Sequence, residues 1–252
     1  MKRVSENLKK IVVFLAIFVL WWAVSKSGIW SEYVLPGPGK VFSALVKMSA
    51  SGELWKHLAI SFRRVAIGFS VSCGLTFLLT FVAALWPKVV PYYTYLLGAI
   101  RHIPPISLIP LFILWFGIGE LPKIIVIVLA SVFPVLLNTE NGIFGDSGKL
   151  TEVGRTVGLS KGQIFFKIML PNAMPEILVG VRLGLGYAWR AIVGAEMIAA
   201  ASGLGYLILD AQTLSSPDKV IAGVLVIGLC GLLTDRLCLA LEKAAKRRRA
   251  VA

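Results

Sequence analysis

Charge is scarce in this chain, and acid is scarcer still. Only 15% of its 252 residues are charged, with 13 acids against 26 bases, and there are just 2 histidines and 3 cysteines. Each shortage excludes something. Cys73, Cys230 and Cys238 all fall inside apolar runs, with neither metal-ligand spacing nor a disulfide framework, so they read as small buried hydrophobes and no metal site is expected. His57 and His102 stand isolated beside apolar runs and read as interfacial. No nucleophile–base constellation surrounds them, so no catalytic residue is expected. A G-x-x-x-x-G-K-[ST] phosphate cradle is also missing, which argues against ATP hydrolysis by the chain itself. Glu196 is the one acid expected deep in an apolar run. A self-sufficient secondary carrier or channel, the main alternative for a chain like this, needs more: a filter or a relay of buried carboxylates.

What the chain has instead is apolar length. Hydrophobic residues make up 57% of it and its mean hydropathy is +0.82, above the roughly 45–50% apolar content of soluble domains. This points to an all-α polytopic membrane protein in one domain, 1–252. A helix needs about 20 residues to cross the hydrocarbon, and six spans fit: 9–27, 58–86, 103–116, 122–138, 175–200 and 220–241. The segment 31–64 opens on the turn signal Leu35-Pro36-Gly37-Pro38-Gly39 and repeats Val41, Leu45 and Met48 at helical spacing, which predicts an interfacial helix. Pro104, Pro105 and Pro110 predict a kinked or broken third span.

The formal charge of +13 fits topology better than nucleic acid binding, because no aromatic-interleaved basic face accompanies it. Lys2, Arg3, Lys9 and Lys10 precede the first apolar run, and Lys243, Lys246, Arg247, Arg248 and Arg249 follow the last, so both termini are expected in the cytoplasm. Lys40, Lys47, Lys56, Arg63 and Arg64 then lie on the opposite side, against that bias.

Between the fourth and fifth spans lies a polar, weakly basic island, 151–171, with its own helix code. Thr151 is placed to cap a short helix that Gly158 ends in the left-handed conformation. Ser160 and Gln163 form a capping box for a second helix, with apolar pairs Ile164/Ile168 and Phe165/Met169, stopped by Pro171. Two short helices joined at Gly158 make a bracket suited to docking.

Glu152-Val153-Gly154, then Gly158, then Ile168-x-Leu170-Pro171 resembles the EAA loop (E-A-A-x3-G-x9-I-x-L-P) of ABC-importer permeases, with Val153 and Gly154 in place of the two alanines. Leu35-Pro36-Gly37-Pro38, the run 51–58, the run 109–120, and Glu196 followed by Ser202-Gly203-Leu204-Gly205-Tyr206 resemble the sulfonate/taurine/nitrate branch of that family. The resemblance implies the type I importer permease fold in the plasma (inner) membrane. It implies a homodimer with two ATPase subunits on one side, holding the ATP and Mg, and a solute-binding protein on the other. Glu152, Gly154, Arg155, Gly158, Leu159 and Pro171 would form the coupling surface on the ATPase, and the cargo would be a small anion such as a sulfonate, taurine or nitrate.

The fifth span carries the remaining candidates. Gly180, Gly184 and Ala188 recur every four residues, as do Ala191, Ala195 and Ala199, and such stripes let helices approach closely in lipid, within the chain or between two copies. Arg182, Arg190 and Glu196 share the span. Arg190 lies nearest mid-depth and is expected, with Glu196, to line the translocation path. Six residues apart, the two sit on different helix faces and pair poorly with each other.

Overall fold

The computed structural model describes residues 2–145 and 148–251, with side chains over 12–145 and 151–244. Among the described residues every regular element is helical. The order is α1 (Lys2–Lys26), α2 (Pro38–Ala50), α3 (Glu53–Leu85), α4 (Val90–Ile100), α5 (Ile109–Phe116), α6 (Glu120–Phe144), α7 (Gly148–Thr156), α8 (Lys161–Ile164), α9 (Leu170–Ala199), α10 (Leu204–Thr213) and α11 (Pro217–Val251). Short 3-10 turns, Pro87–Val89 and Pro105–Leu108, precede α4 and α5.

Four helical stretches are long and apolar enough to cross a membrane: Glu53–Leu85, Glu120–Phe144, Lys161–Ala199 and Pro217–Ala244. A fifth arises if Pro87–Ile100 and Pro105–Phe116, bent by 83°, count as one broken span, and Val12–Lys26 is a shorter apolar helix. The break falls at Pro104-Pro105, where no N–H is available to carry the ladder onward. The segment 103–116, expected as the third span, forms the second arm of this bent pair. The basic residues Lys2, Arg3, Lys9, Lys10, Lys246, Arg247, Arg248 and Arg249 have side chains outside the described residues.

The centre of the bundle is α6 against α9. A Cβ on Gly180 would lie 2.9 Å from the Asn138 side chain and 3.1 Å from the Val135 carbonyl oxygen, and one on Gly184 would lie 2.5 Å from Val135 and 3.1 Å from the Ser131 carbonyl oxygen. The small-residue stripe of α9 thus seats on the backbone of α6 in the same chain. Val65 of α3, Val126 and Ile127 of α6, Ala188, Ile192 and Ala195 of α9, Leu204 and Leu207 of α10, and Ala222 of α11 close the core.

Three expectations change. The helix α2 does not lie with its apolar stripe in the interface: Val41, Ala44 and Met48 are buried, and Val41 and Met48 join the core with Leu54. Its stripe is real, but protein covers it. Pro171 does not stop a helix, because α8, a π-helical turn at Phe165–Met169 and α9 run on as one stretch of 39 residues, Lys161–Ala199. A π turn shifts the backbone ladder by one residue, which admits a proline one turn on. Thr151 lies inside α7, which begins at Gly148, rather than capping it.

The basic residues of 40–64 prove to be largely paired. Lys40 bonds Glu32, whose carboxyl the ammonium hydrogen bond holds below its ordinary value. Arg63 and Arg64 face Glu120, at 4.0 and 2.6 Å. Paired cations carry little topological signal.

Candidate functional site

Three places in the bundle gather the sequence candidates: a bracket at one end of α9, a polar clasp at the other, and an open cavity between them.

The bracket is built from local code. Leu159 N–H donates to the Gly154 carbonyl at 3.0 Å and Gly158 N–H to the Arg155 carbonyl at 3.0 Å, the paired bonds of a Schellman end, with Gly158 at φ 80°. One residue on, Ser160 and Gln163 close the capping box: the Gln163 N–H donates to Ser160 Oγ at 3.3 Å and the Ser160 N–H to Gln163 Oε1 at 2.9 Å. The turn between α7 and α8 is thereby fixed from both sides. A Cβ on Gly154 would come within 2.7 Å of Ile168 Cδ1 and 3.2 Å of Ile164, so α7 lies close on the π turn and a side chain there would displace these isoleucine ends.

Beneath the bracket, Phe165 packs edge-on against Phe81 at 5.0 Å and Phe77 at 5.9 Å, both from α3, and Ile143 of α6 and Ala173 complete the cluster. Lys161 Nζ donates to the Leu85 carbonyl, the last of α3, at 3.2 Å. The bracket is therefore clamped to α3 and α6 and continuous with α9. Glu152 and Arg155 line a cavity of about 360 Å³ with Thr151, Lys161 and Met169. Val153 and Val157, one helical turn apart, remain 59% and 73% exposed, so α7 presents apolar side chains outward. Leu159 packs inward on the cluster and Pro171 is exposed.

At the far end, Glu196 is fully buried and its carboxylate accepts from Arg64 Nη1 at 2.8 Å, from Ser61 Oγ at 2.8 Å, and from the Gly205 N–H at 3.0 Å. Arg64 also donates to the Ser202 carbonyl at 2.6 Å and, through Nε and Nη2, to both oxygens of Glu120 at 2.7 and 2.6 Å. Lys123 adds a contact to Glu120 at 3.2 Å. The Leu204 N–H donates to Ser61 Oγ and the Gly203 N–H to His57 Nδ1, which holds the 201–205 turn over the carboxylate. Gly203 has φ 113°, and any Cβ there would fall 2.2 Å from the Glu196 carboxylate. Such a cage ties α3, α6, α9 and the turn together, and it saturates Glu196. The candidate path residue is thus occupied with donors from its own chain in this conformation.

Arg182 bonds Asp235 of α11 at 2.6 Å. Arg190 is different. It is exposed, and its guanidinium lies over the Tyr187 ring at 5.4 Å, with no carboxylate within ion-pair distance among the described residues. Tyr187 in turn lines a cavity of about 390 Å³ with Arg101, His102, Pro105, Ala130, Phe133 and Pro134. Tyr187 stands about 18 Å from the C-terminal end of α9 at 1.5 Å per residue, which is mid-depth of a hydrocarbon layer of about 30 Å if that end marks its edge. His102, expected to be isolated at a border, has Arg101 and Tyr187 for neighbours. A cation facing lipid at this depth costs about 2.5–3.5 kcal/mol on insertion scales, so two arginines here call for water or protein opposite.

Sequence reasoning missed Ser61, Arg64, Glu120 and Arg101. Only Arg101 left a usable trace: a cation between two apolar helices, just before a proline pair.

A family profile described as "Binding-protein-dependent transport system inner membrane component" matches residues 11–247. The chain is 39% identical over 236 residues to the putative aliphatic sulfonates transport permease protein SsuC of Bacillus subtilis (strain 168), covering 94% of this chain and 86% of that one. It is 31% identical over 247 residues to the taurine transport system permease protein TauC of Escherichia coli (strain K12), covering 96% and 89%. Among solved structures, an inward-facing conformation of the MetNI methionine ABC transporter superposes with a TM-score of 0.65 at 19% identity, covering 81% of this chain and 97% of that one. The chain belongs to the binding-protein-dependent permease family: it is a multi-pass inner-membrane transport component with an ABC-importer permease fold, and ATP hydrolysis is the work of a separate subunit.

Proposed function

We propose that this permease carries small organosulfonates, working as a homodimer with an ATPase seated on the bracket 151–171 and a solute-binding protein at the clasp end. In this reading the bent pair 87–116 and α1 complete six crossings, and both termini lie on the bracket side with the ATPase. The observation that carries it is the bracket itself. It is stiffened by a Schellman end and a capping box, clamped to α3 and α6, and continuous with α9, so force applied at Val153, Val157, Glu152 and Arg155 has no slack loop in which to dissipate. The substrate class is supported by the sulfonate and taurine relatives and by the unpaired Arg190 near mid-depth. That arginine face also gives the homodimer its orientation: facing a second copy across water, the cations escape lipid.

The test is co-reconstitution in liposomes with the cognate ATPase and binding protein, following labelled taurine or ethanesulfonate. ATP-dependent accumulation is expected only with all components. Uptake by the permease alone, without nucleotide or partners, overturns the reading.

A further inference from the structure

The structure assigns an anion subsite to Arg101 and His102 at the break between α4 and α5, opposite Tyr187 of α9. This deepens the organosulfonate reading and rests on it. Four observations converge. The cavity of about 390 Å³ is walled by Arg101 and His102 on one side and Tyr187 on the other. Neither the Arg101 nor the His102 side chain has a hydrogen bond or ion pair among the described residues, whereas Arg64 and Arg182 are both carboxylate-paired. A second cavity, of about 110 Å³, adjoins it through Arg101, Phe133 and Leu137, and its one carboxylate, Glu140, accepts a hydrogen bond from Tyr93. Lastly, Pro134 lines the cavity and has no N–H to give the Ala130 carbonyl one turn back, so α6 carries a break in its ladder beside this space.

A planar guanidinium suits a sulfonate, because it can donate to two oxygens at once. Arg101 supplies that fork where the chain has left helical geometry, so the helix bend sets its position. His102 adds a second donor, and Tyr187, with the Arg190 guanidinium over its ring, closes the wall. The sulfonate group is thus the feature recognised, and the organic remainder of the substrate faces Phe133, Ala130 and Pro105.

The experiment uses the full permease–ATPase complex in proteoliposomes, with Cys73, Cys230 and Cys238 replaced by Ala and His102→Cys introduced. Thiol labelling is followed with an anionic (sulfonate-bearing) and a cationic (trimethylammonium-bearing) methanethiosulfonate of similar size. Normalised to a free thiol in solution, the anionic reagent should be favoured about tenfold. Arg101→Gln should cut that preference about fivefold, and Arg101→Lys should restore part of it. In the cysteine-containing protein, Arg101→Gln should also raise the KM for ethanesulfonate more than it lowers the maximal rate. No labelling in any nucleotide state, or no charge preference, overturns the subsite even where wild-type uptake of organosulfonates stands. A charge preference in a complex that accepts only uncharged solutes overturns its role in transport, together with the substrate reading above.

Discussion

Replacing Glu196 by Gln should unlock one end of the bundle. The carboxylate is 0% exposed and its neighbours offer it donors only: Arg64 Nη1, the Ser61 hydroxyl and the Gly205 N–H. An amide keeps the shape but turns one acceptor into a donor, which of the three only the Ser61 hydroxyl can accept, so position 196 gives up one of its incoming bonds. It also removes the charge opposite Arg64, which is itself only 2% exposed. Breaking a buried pair from one side costs about 3–5 kcal/mol, mainly from the charge left behind. Glu120 still holds the other edge of the guanidinium, but it is 45% exposed and screened, so it offsets only part of that loss. For a chain of this size, 1 kcal/mol moves Tm by about 2–4 °C, so the full loss is a drop of about 6–20 °C in thermal unfolding of the purified permease, and the Glu120 contact brings it toward the lower end. The loss should also have an address. Amide exchange should accelerate over 200–206, where the Gly203, Leu204 and Gly205 N–H groups lose their ordered partners, and stay unchanged over 158–169. A Tm shift under about 2 °C, or exchange that rises equally at both ends, refutes the argument that Glu196 is a caged structural ion.

Two further changes test other contacts. Gly154→Leu should push α7 off Ile164 and Ile168, because even a Cβ meets Ile168 at 2.7 Å; ATP hydrolysis by the assembled complex should persist while uptake falls at least tenfold, measured in the same proteoliposomes. Gly184→Ala should lower Tm although alanine is the better helix former by about 1 kcal/mol, since the added methyl would meet Val135 at 2.5 Å and overpacking costs about 1–3 kcal/mol. A rise in Tm for that variant would mean that α6 and α9 are less tightly apposed than the structure shows.

The contrast between the bracket and the clasp explains what could be read from sequence. Every decisive signal of the bracket lies within a few residues of its partner: Gly158 follows the helix it ends, and Gln163 is three residues from Ser160. Local codes of that sort survive in a one-dimensional reading. In the clasp Arg64 meets partners 56, 132 and 138 positions away, and in isolation it looked like a charge on the wrong side of a membrane. The notable spacing from Glu196 to the Ser-Gly-Leu-Gly turn was visible, yet its meaning was not, because it depends on Ser61 and Arg64 arriving from α3. Pro171 misled for a related reason. A proline ends a helix only if the ladder before it is regular, and the π turn at Phe165–Met169 is a feature of packing that no local pattern announced.

That π turn and the clasp together suggest how motion crosses the membrane. From Lys161 to Ala199 the chain is one helical rod of 39 residues. At 1.5 Å per residue it is about 58 Å long, nearly twice the hydrocarbon thickness of about 30 Å. One end carries the bracket and the other enters the cage around Glu196. A rod held at both ends transmits tilt rather than absorbing it, and α6, seated in its glycine stripe, must move with it. The segment free to respond differently is α4 with the break after it: α4 buries no side chain, whereas Ile109 and Phe112 hold α5 in the core and a Cβ on Gly194 would touch Ile106 at 2.8 Å. Reorientation of α9 by a docked ATPase would therefore change the spacing between the Tyr187–Arg190 face and the Arg101–His102 break first. The cavity between them lies where a rigid part of the fold meets a jointed one, and a site that must bind and then release its anion belongs at such a seam.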